Sequence, residues 1–300
     1  MDESAERYSF TRLETFRECP RKYLHRYVER REPAFETIEA VMGRVVHACL
    51  AWLYSEREAR ATPTSPELGA RFAAEWAAAR GPRTKVVKRG ETADDYFAAG
   101  REMLLRHYHG WFAEDLLETL GAEVPFTIRL SGRRLFAGVV DRLARRPDGS
   151  IVVVDYKTTR RPPRALDDDA SLQLRSYGVY ALIARRTDLV RLEYQYLSTG
   201  AALRDVIGPR EANDVVHRLT ARIDLIAAAR SWMPKPSSLC GWCGYSPFCS
   251  AATASSDFAA PPDERETCPR CGGRLVPRSG VRGPFLGCAH FPECRFARDP

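Results

Sequence analysis

The chain has 300 residues, 44% of them hydrophobic, with a formal net charge of +7. This composition allows a buried core in one large domain, or in a domain with a small module, and excludes disorder throughout. No apolar run is long enough to cross a membrane, and the start MDESAERYSF has no apolar signal-peptide core; we therefore expect a cytoplasmic protein without a membrane partner.

The first part of the chain is predicted to be helical. Residues 9–30 indicate a helix that begins at Ser9 or Thr11 and is interrupted near Cys19 and Pro20. Six Lys or Arg residues against two Glu residues follow between positions 17 and 31. This surplus is either a solvated helix face or a surface that contacts phosphates. Residues 36–120 continue as helices, with breaks around 61–69 and 81–90.

From Ala122 the hydrophobic pattern changes to that of strands. Further helices are expected after the first strands, and residues 251–267 have the small-residue and proline content of a linker. We therefore predict one large domain over 1–250, the linker 251–267 and a cysteine module over 268–300. The predicted strands are 124–130, 134–146, 150–159 and 190–199, and the predicted helices are 169–187 and 209–230.

Asp141, Asp155 and Lys157 lie on two predicted strands joined by a tight turn. Strand residues two apart share a face, so Asp155 and Lys157 project together. If residues 147–149 form a three-residue loop with Gly149 left-handed, residue 141 pairs with residue 155. A two-residue loop would instead place the two carboxylates on opposite faces.

Two neighbouring carboxylates repel each other when both are ionised, and Mg²⁺ or Mn²⁺ removes that conflict. The bound cation can activate water against a phosphodiester, while Lys157 orients the nucleophile or stabilises negative charge. The alternative is a surface ion pair between Asp155 and Lys157.

Three more polar residues are candidates for the same site. Gln173 and Tyr177 are four residues apart and so share one helix face. His47 follows Gly43 in the segment AVMGRVVHACL, and imidazole is a good ligand for first-row metals. Packing roles remain the alternative for all three.

The order His47, Asp141, Asp155-x-Lys157, Gln173-x3-Tyr177 resembles the PD-(D/E)XK nuclease superfamily, and within it the RecB-like exonucleases. That branch includes the CRISPR-adaptation nucleases and the AddB nuclease domain. The resemblance implies a restriction-endonuclease-like α/β fold, a mixed sheet flanked by helices, with a helical insertion. It implies His47, Asp141 and Asp155 as ligands of Mg²⁺ or Mn²⁺, Lys157 as catalytic lysine, and Gln173 and Tyr177 as contacts to a DNA end or phosphate.

Nine cysteines in a reducing compartment favour metal ligation over disulfides. Cys240, Cys243 and Cys249 lie some 220 residues after Cys19, and four thiolates can hold either Zn²⁺ or an iron–sulfur cluster. The iron–sulfur nucleases that this chain resembles have the same arrangement, which implies a [4Fe–4S] cluster clamping the ends of the domain. Cys49 is expected in the core.

The remaining cysteines, Cys268, Cys271, Cys288 and Cys294, have the local spacing of a small zinc ribbon. The segment is similar to the C-terminal zinc fingers of bacterial type I topoisomerases, which bind single-stranded DNA. Arginines of the ribbon are candidates for phosphate contacts and phenylalanines for base stacking, although at least one phenylalanine is expected in the module's core. These residues are Arg278, Arg282, Arg295, Phe285, Phe291 and Phe296.

Together these features predict a metal-dependent DNA nuclease, a RecB-family exonuclease acting on single-stranded DNA or free ends in repair and recombination. No Walker A pattern occurs, so the chain is not itself a helicase, although a helicase partner is open. Three alternatives remain: a non-catalytic DNA-end-binding subunit of a helicase–nuclease complex, a CRISPR-adaptation-type trimming nuclease, and a topoisomerase-associated factor.

Overall fold

A six-stranded mixed sheet forms the centre of the first of two structural units, Met1–Pro247 and Phe248–Pro300. The computed structural model describes residues 6–59, 61–160, 162–253, 268–271, 275–280, 283–288 and 293–298. Residues 254–267 of the predicted linker lie outside the described residues. Within the described part, no helix combines the length and the apolar character that a membrane span needs.

Hydroxyl side chains cap the starts of several helices in the first unit. Ser9 Oγ accepts the N–H of Arg12, and Thr64 and Thr92 form reciprocal capping boxes with the third residue of their helices. The first helix ends at Cys19 because Pro20 starts a new turn, as predicted. The helices are α1 (Phe10–Glu18), α2 (Pro20–Tyr23), α3 (Ile38–Glu58), α4 (Ser65–Ala79), α5 (Ala93–His107), α6 (Asp168–Arg185) and α7 (Pro209–Ala228), with π-helical turns at Leu24–Val28 and Tyr108–Phe112.

The central sheet has the order β1-β5-β6-β7-β8, and β4 pairs with β5 as well. Parallel β6 and β7 are connected through α6, whereas β4–β5, β5–β6 and β7–β8 are antiparallel. The strands are β1 (Glu6–Tyr8), β2 (Glu36–Thr37), β3 (Thr84–Lys85), β4 (Glu118–Arg129), β5 (Arg134–Arg145), β6 (Ile151–Lys157), β7 (Val190–Tyr196) and β8 (Ala201–Ile207), of which β2 and β3 form a separate parallel pair.

Two hydrophobic clusters cover the two faces of the sheet, and β6 contributes to both. Ile151 and Val153 pack with residues of α6 and α7, whereas Val152 and Val154 pack with α3, α4 and α5. This division follows from the period of two in a strand. It explains why the run IVVV is apolar throughout, and it confirms the predicted mixed α/β fold.

The β5–β6 hairpin has the predicted three-residue loop, residues 147–149. Arg146 donates to Ser150 O, Gly149 donates back to Arg146 O, and Gly149 has a φ of 84°. Glycine suits this position because side chains disfavour the left-handed region. The two strands pair from Arg145–Ile151 to Arg142–Val154. A loop with an odd number of residues gives this register, which the predicted site requires because it sets residue 141 opposite residue 155.

The structure corrects one predicted boundary and adds two strands that were not predicted. Strand β4 starts at Glu118, so the helical prediction over 36–120 extends too far. Strand β8 was not predicted because it is an edge strand, largely exposed and carrying charged residues, and its pattern is correspondingly weak. Strand β1 has three residues, too few for a periodic signal.

The second unit contains a short helix and a three-stranded antiparallel sheet. Helix α8 is Ser250–Thr253, and the sheet orders its strands β11-β10-β9. Three of its cysteines and Leu275 form a small buried cluster, against which Phe296 packs. Phe296 is therefore the core phenylalanine expected among the three. The strands are β9 (Leu275–Gly280), β10 (Gly283–Cys288) and β11 (Ala297–Arg298).

Candidate active site

The two predicted carboxylates meet where the β5–β6 ladder ends. Its last pair is Arg142–Val154, and one further step in that register sets Asp141 opposite Asp155. The N–H of Tyr156 donates to Asp141 Oδ2 over 2.7 Å, so this carboxylate takes a bond that would otherwise continue the ladder. Asp155 is 3% exposed. The structure thus brings both predicted carboxylates together.

Asp141 also lies where the side-chain alternation of β5 breaks. Val140 and Leu143 both join the cluster that contains α6, although residues three apart on a regular strand face opposite sides. Arg142 lies on the other face, with its guanidinium 3.7 Å from the centre of the Tyr54 ring on α3. The local irregularity releases Asp141 from the core and leaves its carboxylate beside α3.

Lys157 follows Asp155 on the same face of β6, as predicted. Its Nζ lies 2.8 Å from Asp155 Oδ2 and donates to Gln173 Oε1 over 3.1 Å. The ammonium also lies 4.5 Å from the centre of the Tyr194 ring, a cation–π contact. Three side chains from β6, α6 and β7 therefore fix the position of the lysine.

Gln173 and Tyr177 lie one turn apart on α6, and they contact each other. Gln173 Nε2 donates to Tyr177 Oη over 2.9 Å, and Gln173 Oε1 lies 3.1 Å from Tyr194 Oη. Tyr177 is 8% exposed. The resemblance implied DNA contacts for both residues, whereas the geometry places them in the hydrogen-bond network that holds Lys157.

Tyr194 was missed by the sequence analysis. It is fully buried, pairs with Asp155 in the parallel β6–β7 register, and its hydroxyl lies 2.9 Å from Ala170 O. Its position in the alternating segment EYQY is compatible with either a core or a site residue. Only the pairing of β6 with β7 shows that it faces the lysine.

His47 reaches the carboxylates from α3. Its Nδ1 lies 3.4 Å from Asp141 Oδ1. One turn earlier, Gly43 allows α3 to approach the end of β6, because a Cβ at this position would lie 3.3 Å from Thr158 Oγ1. The structure therefore brings His47 to Asp141, which lies 94 residues later in the sequence.

A third carboxylate, that of Glu123, joins this group and was also missed. Its Oε1 lies 3.9 Å from His47 Nδ1. The β4–β5 pairs Ala122–Arg142 and Val124–Val140 set Glu123 opposite Asp141. No local pattern marks a glutamate in this strand. The available signal was the pairing of β4 with β5, which the sequence alone did not fix.

The site concentrates negative charge in a space that is buried at Asp155 and open to solvent at Glu123. Burial raises the pKa of Asp155 to about 6, with Lys157 lowering it and Asp141 raising it. Burial, then the charge of Asp141, raises the pKa of Glu123. Burial alone would lower the pKa of His47, but its hydrogen bond to Asp141 and the surrounding carboxylates raise it. Each shift has the direction expected of anionic groups crowded together.

These residues fit a divalent cation. Among the described residues, His47, Glu123 and Asp141 offer ligand atoms within 4.8 Å of one another. Asp155 Oδ2 is buried and has no well-aligned hydrogen bond, since Lys157 lies close to it but off the hydrogen-bond direction. Carboxylate oxygens with one imidazole suit Mn²⁺, and the oxygens suit Mg²⁺.

Three of the four cysteines predicted for the iron–sulfur site lie near one another in the first unit. The N–H of Lys235 donates to Cys19 Sγ and that of Ser237 to Cys240 Sγ, both over 3.4 Å. Burial raises the pKa of Cys243, and the neighbouring thiols of Cys19 and Cys240 raise it further. Cys249 belongs to the second unit.

The ribbon cysteines form a much tighter group. Cys268 Sγ and Cys294 Sγ are 3.7 Å apart, Cys271 Sγ and Cys288 Sγ are 3.4 Å apart, and all four lie within 4.8 Å of one another. Thiolates bound to one tetrahedral Zn²⁺ at 2.3 Å lie about 3.7 Å apart. The set therefore fits zinc. None of the nine cysteines, all in the described part of the chain, forms a disulfide, and Cys49 is buried as expected.

The structure describes the exposure of two more of the ribbon residues that were predicted to contact DNA. Arg295 is exposed and Phe285 is partly buried. Arg282 and Phe291 lie outside the described residues, and the side chain of Arg278 is not described.

Comparisons with known proteins give short matches to curated proteins and a long but distant match to a solved structure. The uncharacterized protein YrdD of Escherichia coli is 58% identical over 33 residues, 11% of this chain and 18% of that protein. DNA topoisomerase 1 of Mycoplasmoides gallisepticum is 52% identical over 33 residues, 11% of this chain and 5% of that enzyme. The crystal structure of SSO0001 gives a TM-score of 0.37 at 17% identity, covering 84% of this chain and 89% of that one.

Two family models match, one over each predicted domain. Residues 265–300 match the topoisomerase DNA-binding C4 zinc finger, in agreement with the four clustered thiols. Residues 7–250 match the PD-(D/E)XK nuclease superfamily, and this range contains the sheet and every side chain of the carboxylate–lysine site. By this match over most of its length, with the fold and site just described, the chain belongs to the PD-(D/E)XK nuclease superfamily.

Proposed function

We propose that this chain is a metal-dependent nuclease that hydrolyses DNA phosphodiester bonds. The observation that carries the proposal is the convergence of His47, Asp141 and Asp155 beside the ammonium of Lys157. A divalent cation held by those three ligands would neutralise charge on the phosphate and lower the pKa of the attacking water.

Lys157 supplies the second element of the proposed chemistry. Its Nζ lies next to Asp155 and is held in place by Gln173 and the Tyr194 ring. From this position the ammonium can donate a hydrogen bond to the attacking water or to a phosphate oxygen. Because the amine has lost rotational freedom before substrate binds, less ordering is needed in the transition state.

The finer assignment follows the motif order. We propose a RecB-like exonuclease that degrades single-stranded DNA or free ends during repair and recombination, alone or beside a helicase. The basic stretch between residues 17 and 31 and the ribbon would guide the strand. Separate 5′ and 3′ end labels test the mode of cleavage: short end-labelled products appear early for an exonuclease, and internal fragments for an endonuclease.

The proposal is tested by incubating the purified protein with labelled DNA and Mn²⁺. We expect degradation by the wild type, and its loss in Asp141→Asn and Lys157→Ala. Asp148→Asn is the matched control, since Asp148 is an exposed carboxylate in the turn of the same hairpin. Equal degradation by wild type and Asp141→Asn would refute the site. DNA binding by the wild type without cleavage would favour an end-binding subunit instead.

We also propose a [4Fe–4S] cluster on Cys19, Cys240, Cys243 and Cys249. The proposal is supported by the neighbourhood of three of these thiols in the first unit, where Cys19 and Cys240 both act on the pKa of Cys243. Four thiolates can hold either a cluster or Zn²⁺.

The cluster is tested by anaerobic purification with iron, sulfide and zinc analysis and a visible spectrum. Cys19→Ala should abolish the iron–sulfur absorption, whereas Cys49→Ala, a core substitution outside both sets, should keep it. Zinc without iron in the wild type would remove the cluster and leave the nuclease proposal intact.

For the ribbon we propose binding of single-stranded DNA. Its exposed Arg295 can contact a phosphate, and its partly buried Phe285 can stack on a base. Cys271→Ser should release one zinc per chain and weaken binding of long single strands. The rate at which Cys271→Ser cleaves a short oligonucleotide should equal that of the wild type. If this rate falls as well, the ribbon and the nuclease site do not have separate roles.

A further inference from the structure

Glu123 brings a third carboxylate to the space between His47 and Asp141. Within the described part of the chain, these three residues form the compact nitrogen–oxygen ligand group, and Asp155 is not a member of it. Ligands of one octahedral Mg²⁺ at about 2.1 Å lie roughly 3 to 4.2 Å apart. His47 Nδ1 lies 3.4 Å from Asp141 Oδ1 and 3.9 Å from Glu123 Oε1, which is within that range.

The backbone at Glu123 is unusual in a way that points to the same space. Its φ is 49°, the left-handed region, which side chains with a Cβ disfavour. Ala122 and Val124, on either side, keep their pairing with β5, so the strand does not break at Glu123; the separate register shift of this ladder lies between Thr119 and Gly121. Strained backbone of this kind persists where the surrounding structure enforces it, and such positions cluster at functional sites.

The charges of this group and its neighbours are also unbalanced. Glu123, Asp141 and the neighbouring Asp155 supply three carboxylates, and Lys157 supplies one ammonium, which lies 2.8 Å from Asp155. The difference equals the charge of one divalent cation, with His47 binding as a neutral imidazole. A glutamate that merely held β4 through an ion pair would not need to face the carboxylate of Asp141.

We propose that Glu123 is a further ligand of the divalent cation, acting with His47 and Asp141. Asp155 would then contact both the cation and the ammonium of Lys157. This inference rests on the proposed function, because the superfamily implies the cation. It assigns a metal ligand to β4, a strand that the motif order of the sequence does not include.

The first test measures Mn²⁺ binding to the full-length protein by electron paramagnetic resonance and calorimetry, without DNA. Glu123→Gln should weaken binding on the order of tenfold or more, the range seen when support of a metal site is removed. Glu118→Gln is the control, because Glu118 lies on the same strand, is exposed and pairs with exposed Arg145. It should bind as the wild type does.

The second test separates a ligand from a structural residue by thermal unfolding. In chelator, Glu123→Gln and Glu123→Gly should melt no lower than the wild type, because the first relieves repulsion and the second relieves backbone strain as well. The increase in melting temperature on adding Mn²⁺ should be smaller in both variants. A merely structural role predicts the reverse, a lower melting temperature in chelator and an unchanged increase with Mn²⁺.

The outcomes distinguish this inference from the nuclease proposal. Equal Mn²⁺ affinity in wild type and Glu123→Gln overturns the role of Glu123 and leaves the nuclease proposal standing. Binding of Mn²⁺ that depends on Glu123, in a wild type that cleaves no DNA, supports the ligand and overturns the nuclease. A wild type that binds no Mn²⁺ overturns both.

Discussion

Replacing Gln173 by alanine tests how Lys157 is held. The resemblance assigns Gln173 to DNA contact, whereas its Oε1 accepts a hydrogen bond from Lys157 Nζ over 3.1 Å and its Nε2 donates to Tyr177. The substitution removes both bonds. It leaves the ammonium its contact with Asp155 and with the Tyr194 ring, so the lysine stays in the site but loses its fixed orientation.

The expected loss follows from the strength of a hydrogen bond to a charged group. Such a bond contributes about 1.5–3 kcal/mol. If the bond is needed in the transition state, the loss corresponds to roughly a 10- to 150-fold lower rate. Because two contacts to Lys157 remain, we expect a loss nearer the lower end, about 10- to 30-fold.

The assay is single-turnover cleavage of end-labelled single-stranded DNA with Mn²⁺, at protein concentrations that span the DNA affinity. The saturated rate of Gln173→Ala should fall while the concentration for half-saturation stays within about twofold of the wild type. Gln173→Glu keeps an acceptor oxygen for Lys157 and should recover part of the rate. Tyr180→Phe is the control on the same helix, since Tyr180 stacks on Phe126 with ring centres 5.0 Å apart.

One pattern of results would refute this reasoning. If Gln173→Ala weakens DNA binding and leaves the saturated rate unchanged, Gln173 contacts the DNA and does not position Lys157. The role implied by the resemblance would then be correct.

Three further predictions concern residues that support the site through burial and helix packing. Burial lowers the pKa of His107 to about 3, so the folded state keeps it neutral while the unfolded chain protonates near pH 6.5. The stability that this provides is complete above pH 6.5 and falls as the pH drops toward 3, by about 2 kcal/mol at pH 5. In urea unfolding, the loss of unfolding free energy between pH 7.5 and pH 5 should be smaller in His107→Gln than in the wild type by about this amount. An equal loss in both proteins would contradict the prediction. Gly178→Ala places a Cβ 2.5 Å from Ile207 Cγ2 and should destabilise folding by about 1–3 kcal/mol without changing Mn²⁺ affinity; an unchanged melting temperature would refute the packing of α6. Gly43→Ala should weaken Mn²⁺ binding severalfold, and adding Thr158→Ala should restore it, because the new Cβ meets Thr158 Oγ1 at 3.3 Å; failure of the second change to restore binding would show that contact to be irrelevant.

The sequence predicted those parts of the fold that depend on local patterns. The β5–β6 hairpin was predictable because Gly149 and the turn residues determine loop length, and loop length determines register. The strand β6 was predictable because a continuous apolar run bounded by polar residues is typical of a strand buried on both faces. From these two facts alone, the facing of Asp141 and Asp155 could be expected.

The parts that were missed depend on contacts between distant segments. Glu123 faces the site because β4 pairs with β5 and because its backbone is left-handed, and neither fact leaves a mark in the neighbouring residues. Tyr194 faces Lys157 because β7 lies parallel beside β6, a pairing made through α6. The contacts of Gln173 depend on the packing of α6 against β6 and β7, since its Oε1 accepts hydrogen bonds from Lys157 and Tyr194.

Two aspartates on one hairpin have opposite electrostatic environments. Asp148, in the turn, accepts hydrogen bonds from the N–H and hydroxyl of Ser150 at 2.9 and 2.6 Å, and these bonds lower its pKa. Asp155, seven residues later, is buried with its pKa raised and one oxygen without a well-aligned partner.

A protein gains no stability from leaving Asp155 in that state, since burial of an incompletely paired carboxylate is unfavourable. The left-handed backbone of Glu123, whose side chain lies beside Asp141, is a second unfavourable feature of the site. One divalent cation would relieve both, by neutralising the carboxylates and by giving the turned side chain a partner. We therefore expect Mn²⁺ to raise the melting temperature of this chain more than that of Asp155→Asn, and an equal increase in both would contradict a role of Asp155 at the cation.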